Sequence, residues 1–206
     1  MPYIIVGLGN PGEEYADTRH NAGRIVLEAF RIKAGLPEWQ PKGKWNALFS
    51  EGIVEAEKGS GGKSTKALLL EPETYMNKSG ASIKDLVTSE KKAEQLVVIH
   101  DDLDLPLGRI KISFNRGSGG HKGLESIARA VKTEAFIRLR VGISPVTPSG
   151  KIKKPQGEHV VGDFIIAPFK KSEQETLKKI AKRGAEALGM IVTAGYEKAM
   201  GEFNAA

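Results

Sequence analysis

The chain has 206 residues and no cysteine, which excludes disulfides and thiolate metal sites. With 40% apolar and 27% charged residues it has the composition of an ordinary globule, so one domain over residues 1–206 is expected. The net charge of +6 suggests a polyanionic partner, yet aromatic residues are only 6%, too few for a stacking platform for single strands.

The chain begins on a strand-like run, Tyr3–Val6, rather than on a charged leader. No stretch approaches the roughly 18 apolar residues of a spanning helix. A cytoplasmic protein without membrane contact is therefore expected. Asn21–Lys33 carries Ile25, Val26, Ala29, Phe30 and Ile32 at helical spacing. Asn46–Glu57 and Lys66–Leu70 read as strands around a flexible GSGGKST turn, and Thr74–Val87 reads as a helix. Leu96–Ile99 is a strand of the buried kind, and Arg109–Phe114 alternates like a strand. Lys122–Val131 is helical and Phe136–Ile143 a strand. Ser144–His159, which includes the KIKK cluster at Lys151–Lys154, has no periodicity and is too long for a simple connector. Ser172–Phe203 lines up Leu177, Ile180, Ala185, Leu188 and Ile191 on one helical stripe. Strands interleaved with helices imply an α/β sheet covered on both faces.

Residues 7–12, GLGNPG, fit G-x-G-x-x-G directly after the first strand, where a dinucleotide fold cradles phosphates. The fit ends there. The next residues include Glu13 and Glu14, where phosphates would approach, and Glu28 lies in a helical run instead of closing a second strand. What remains is a tight turn that displays the amide of Asn10.

His20 follows ten residues later, in TRHNAG. Taken singly, His20 reads as a helix-start residue and Asn10 as a turn residue. Two further strand ends add polar groups. LVVIHDDLDLP (96–106) runs an apolar strand into three acids, which suits either a metal or a histidine that needs a carboxylate to orient it. EPETYMNKSG (71–80) places Asn77 beside Tyr75 and Met76 after another strand.

At these residues the sequence resembles bacterial-type peptidyl-tRNA hydrolases. GLGNPGEEYADTRHNAG, LLLEPETYMNKSG, HDDLDLPLGRIKI, GSGGHKGLESI, RLRVGI and KAMGEFN follow the family's order over nearly the whole chain. The resemblance implies a single α/β domain with a twisted mixed sheet between helices. It implies hydrolysis of the ester that joins a peptide to the 3′ ribose of tRNA, by a monomer needing no metal or organic cofactor. His20 matches the family's general base and Asp101 the carboxylate that pairs with it. Asn10 and Asn77 match amides that position substrate and water. Tyr15 and Tyr75 match positions along the substrate's 3′ end or peptide. Arg140 matches a residue that grips the 5′-phosphate. Asp102 and Asp104 read as loop or capping residues, and His100 as structural.

The chain departs from the family at two of these positions. Lys122 stands in GGHKGL where asparagine is usual, and a lysine cannot accept a hydrogen bond. The lysine that usually partners the phosphate arginine aligns with Ser113, leaving Lys111 or Lys122 to substitute. The rival expectation is therefore an RNA-binding relative of the same fold with altered or lost catalysis. A nicotinamide enzyme is the weaker third.

Overall fold

Side chains alternate along β1 (Tyr3–Gly7): Tyr3 and Ile5 enter one apolar layer, Ile4 and Val6 the other, and all are buried. A strand buried on both faces belongs in the middle of a helix-covered sheet. The other strands are β2 (Gln40–Lys42), β3 (Ala47–Val54), β4 (Thr65–Pro72), β5 (Leu96–Pro106), β6 (Ile110–Phe114) and β7 (Ile137–Ser144). In the computed structural model, which describes residues 2–59 and 61–205, they form one sheet in the order β2-β3-β4-β1-β5-β7-β6. The pairings β4–β1, β1–β5 and β5–β7 are parallel, whereas β2–β3, β3–β4 and β6–β7 are antiparallel. The sheet is mixed, as expected.

The helices are α1 (Ala22–Lys33), α2 (Glu90–Ala93), α3 (Lys122–Val131), α4 (Glu158–Ile166), α5 (Gln174–Ala194) and α6 (Tyr196–Phe203). One face of the sheet takes Val26, Leu27 and Phe30 of α1, Leu188 and Ile191 of α5, and Phe203 of α6. The other takes Leu124 and Ile127 of α3 with Met76 and Ile83. Full burial of each large apolar side chain contributes about 1.5–3 kcal/mol, so both layers are needed. The exposed edge at β6 is covered by a side chain: Asn204 accepts from the Ile112 amide (2.8 Å) and donates to its carbonyl (2.9 Å), as a neighbouring strand would.

Three expectations need correction. Thr74–Val87 is no α-helix; its regular part is a 3-10 segment, Met76–Ser82, followed by a turn. Close contact explains this: a Cβ on Gly80 would lie 2.2 Å from the Ser126 carbonyl oxygen of α3, so the segment is shaped by packing rather than periodicity. Ser172–Phe203 is two helices, because Gly195 turns the chain at φ 92° between α5 and α6. Ser144–His159 is not structureless, since Val146 and Ile152 form a β-bridge and α4 starts within it at Glu158. Strand β2 and helices α2 and α4 carry no clear period and escape the sequence reading.

Two of the glycines of GLGNPG, Gly7 and Gly9, serve close approach, whereas Gly12 supplies a positive φ of 105°. A Cβ on Gly7 would meet the Gly23 carbonyl oxygen at 2.9 Å, and one on Gly9 the Asn21 amide oxygen at 2.9 Å. Gly23, at the start of α1, is tighter still: its Cβ would lie 2.4 Å from the Ile99 oxygen and 2.6 Å from the Leu8 oxygen. Helix α1 thus presses on the residue that follows β1 and on the body of β5. Since only backbone lies in the way, Gly23→Ala is expected to destabilise the fold by about 3 kcal/mol or more. Calorimetry should then show the thermal midpoint falling by roughly 6–12 °C.

Candidate active site

Strand β1 has β4 on one side and β5 on the other, all three parallel. The chain leaves β1 first towards β4 and returns later to β5, so the order reverses at β1. In open α/β sheets ligands sit outside the strand ends at such a point. Asn10 follows β1, Tyr75–Asn77 follow β4, and Asp101 lies on β5. His20 is held on a short 3-10 turn, Arg19–Asn21, immediately before α1.

Asp101 is the centre of the arrangement. Its Oδ1 lies 2.9 Å from His20 Nδ1 and 2.9 Å from His121 Nε2. The protons can be assigned from the second histidine. His121 is the N-cap of α3, and its Nδ1 accepts from the amides of Gly123 (3.1 Å) and Leu124 (3.4 Å). Its own proton is therefore on Nε2, which donates to Asp101. His20 donates from Nδ1 to the same oxygen, so the lone pair of His20 is on Nε2, which has no protein partner among the described residues. Sequence reasoning singled out His20 and Asp101 but missed His121. The signal was present, a polar residue directly before the helical run that opens at Lys122.

Burial opposes charge on His20, but the negative charge and hydrogen bond of Asp101 outweigh it, and the pKa is raised despite an opposing push from Lys122. Burial likewise raises Asp101, yet the two histidines more than reverse this and hold it well below the usual carboxylate range. His100 is pressed down to about 3 by burial and His121, so it stays neutral; its Nδ1 donates to the Asp101 carbonyl (2.7 Å). The expectation of a structural role for it agrees with this. His20, Asp101 and His121 also place three ligating atoms within 4.8 Å of one another. A cation bound there would need the nitrogen lone pairs that the hydrogen bonds to Asp101 fill with protons.

The surrounding loops are tied to these residues. The Asn10 amide donates to Asn21 Oδ1 (2.9 Å) and Asn21 Nδ2 returns a bond to the Asn10 carbonyl (3.0 Å). Asn10 Oδ1 accepts from the Met76 amide (2.9 Å), joining the β1 and β4 loops. Arg24 of α1 pairs with Glu73 (3.0 Å) and Glu71 (3.7 Å) and donates to the Pro72 carbonyl, fixing the end of β4. Burial pushes Glu71 up to about 7 in spite of Arg24. Arg19, buried beside His20, donates to the carbonyl of Pro168 (2.7 Å), pairs with Glu173 (2.7 Å) and lies 4.6 Å from the Phe164 ring centre. It thereby fastens the His20 turn to the far end of α4.

A cavity of about 650 Å³ opens beside this cluster, lined among others by His20, Asp101, Lys122, Arg138, Arg140 and α4. Arg140 is buried there, its Nε 2.7 Å from Asp102. Asp102 also accepts from the Asp104 amide (2.8 Å), so it is both a loop cap and an ion-pair partner. Arg138 is 1% exposed, and its Nε and Nη2 have no hydrogen-bond partner. The Ser113 hydroxyl, opposite Arg138 in the β6–β7 register, is also buried without one. Tyr15 is half-buried, while Tyr75 and Asn77 are exposed. Among the described residues none of these three side chains hydrogen-bonds to the histidine–aspartate cluster, and none lines the cavity.

An NMR titration of the His20 ring is expected to give a pKa above the ordinary value of about 6.5. Asp101→Asn should move it below that value, because burial and Lys122 then act without the opposing carboxylate.

The family profile described as peptidyl-tRNA hydrolase matches residues 4–206. A peptidyl-tRNA hydrolase of Carboxydothermus hydrogenoformans is 39% identical over 206 residues, covering 98% of this chain and 98% of that protein. One from Brevibacillus brevis is 36% identical over 202 residues, covering 98% and 97%. The crystal structure of peptidyl-tRNA hydrolase from Acinetobacter baumannii superposes with a TM-score of 0.82 at 31% identity, over 99% of this chain and 95% of that one. Similarity in sequence and fold thus runs from end to end, and this chain belongs to the peptidyl-tRNA hydrolase family.

Proposed function

We propose that the protein hydrolyses the ester between a peptide and the 3′ ribose of tRNA in peptidyl-tRNA, with water activated by His20. The observation that carries the mechanism is the 2.9 Å contact between His20 Nδ1 and Asp101 Oδ1, which leaves His20 Nε2 as the basic atom beside the cavity. Nε2 removes a proton from water as the water oxygen attacks the ester carbonyl carbon. Asp101 holds the tautomer and stabilises the imidazolium. Collapse of the tetrahedral intermediate breaks the carbonyl–O3′ bond, and the imidazolium returns its proton to the leaving oxygen. The products are tRNA with a free 3′-hydroxyl and a peptide carboxylic acid, which gives up its proton to solvent to become the carboxylate. Every step uses protons already in place, so the reading requires no metal or organic cofactor.

Asn10 spends its side-chain oxygen on Met76, which leaves its Nδ2 donors for a substrate carbonyl. Asn77, Tyr15 and Tyr75 lie on the loops after β1 and β4, where they suit the peptide and 3′ end. Arg140 is braced by Asp102 and sits near Arg138 and Arg116, which gives the cavity cations for phosphate. Phosphate contacts of this kind make binding weaken steeply with salt. The same reading has the chain act as a cytoplasmic monomer and one domain. Lys122 favours the rival reading of altered catalysis, but the His20–Asp101 pair it adjoins is intact.

N-acetyl-phenylalanyl-tRNA incubated with the protein should release tRNA and N-acetyl-phenylalanine. His20→Ala should lower kcat/KM by about 10²–10⁴-fold; equal turnover by the variant would remove His20 as the base. Because imidazolium cannot accept a proton, kcat/KM should rise with pH and level off above the raised pKa of His20. In Asp101→Asn the inflection should move to lower pH and the plateau should fall.

A further inference from the structure

Lys122 is exposed, opens α3 and lines the cavity beside His20. Among the described residues no carboxylate pairs with its amine, and its charge reaches the His20 ring. The neighbouring cluster is negative: Asp101 is held ionised, while His121 spends a lone pair on α3 and His20 must be neutral to act as base. Left alone, that charge would attract any cation near the scissile bond.

One substrate cation belongs there. In aminoacyl-tRNA the α-nitrogen is two bonds from the carbonyl carbon that the water attacks, and it is a free amine that takes up a proton around neutral pH to become an ammonium. In peptidyl-tRNA the same nitrogen is a neutral amide. We propose that Lys122 is a specificity determinant, its ammonium offsetting Asp101 and repelling the α-ammonium of aminoacyl-tRNA while leaving the amide of peptidyl-tRNA unaffected. This rests on the hydrolase reading. Selectivity built on an unfavourable contact with the wrong substrate needs no added contact with the right one.

The other charges around the cavity do little to welcome an ammonium. Asp102 is paired with Arg140 (2.7 Å) and Asp104 with Lys154 (2.6 Å). Arg116 and Arg138 add positive charge, and Glu158 at the start of α4 is the remaining acid of the lining. A neutral asparagine at position 122 would supply no repulsion.

The test compares kcat/KM for N-acetyl-phenylalanyl-tRNA, phenylalanyl-tRNA and the uncharged α-hydroxy analogue phenyllactyl-tRNA. Binding of the tRNA body is common to all three and cancels in the ratios. The preference for the N-acetyl over the free-amine substrate should fall roughly 3–10-fold in Lys122→Asn and Lys122→Met, a tenfold loss being about 1.4 kcal/mol. It should fall further in Lys122→Glu and persist in Lys122→Arg. The ratio of N-acetyl to α-hydroxy substrate should not move in Lys122→Met, and added KCl should erode the wild-type preference. An unchanged preference in Lys122→Met, or an equal loss in Lys122→Arg, would overturn the proposal while the hydrolase reading stands. Failure of the wild-type protein to cleave N-acetyl-phenylalanyl-tRNA would instead remove the hydrolase reading itself.

Discussion

A single carboxylate oxygen organises this molecule. Asp101 Oδ1 receives one imidazole proton from residue 20 and another from residue 121, so two loops about a hundred positions apart in the chain meet at one atom. A buried carboxylate without donors would be costly to keep ionised; two N–H donors make it affordable, and the histidines are oriented in return. His121 adds the link to backbone structure. Its other nitrogen accepts the first amides of α3, so the helix start, the aspartate and the second imidazole are set together. Displacing any of the three changes what His20 faces.

The surrounding framework protects that geometry by close contact more than by apolar area. Gly23 lets the start of α1 sit against the backbone just past β1 and within β5, which fixes where residue 20 emerges. The paired amides of Asn10 and Asn21 then lock the β1 loop to the same helix start, and Arg24 holds the end of β4. Arg19 joins the turn to α4, a wall of the cavity. The β1 loop and the end of β4 are thereby held to the start of α1 by side chains, and the Arg19 side chain reinforces the Thr18–Pro168 bridge that already joins its turn to the segment after α4.

How much of this was legible in the sequence depends on whether the cause was periodic. Strands β1, β4 and β7 and helices α1 and α3 follow from apolar spacing, as does the α/β class. His20, Asp101, Lys122 and Arg140 were found and do share a cavity. Asn10 joins them indirectly through Asn21 and Met76, and Tyr15, Tyr75 and Asn77 remain on flanking loops. His121 was missed because its role comes from capping one helix while reaching a distant strand, and Asn21 because its partner is a backbone group eleven positions away. Helix α4 was missed because VVGDFII is apolar on nearly every side and buries none of its residues fully. The 3-10 segment at Met76 reflects the contact of Gly80 with α3, which no local pattern records.

The two ionisable partners also place stability and chemistry in opposition. Asp101 has a lowered folded pKa, so its contribution is present above the unfolded value of about 3.9 and is lost as pH falls through the folded one. His20 has a raised folded pKa, so its contribution is complete below about 6.5 and is lost as pH rises through the folded value. Together they stabilise the fold most between those limits, where His20 carries a proton and cannot act as a base. As pH climbs into the range where Nε2 is free to take a proton, the ion pair that helped to hold the two loops together becomes a hydrogen bond from a neutral imidazole to the carboxylate. The framework of Gly23, Asn21, Arg24 and Arg19 must then keep the geometry without it. That requirement gives a physical reason for the close packing, the backbone-directed hydrogen bonds and the separate arginine–glutamate pairs around a site whose central interaction is electrostatic.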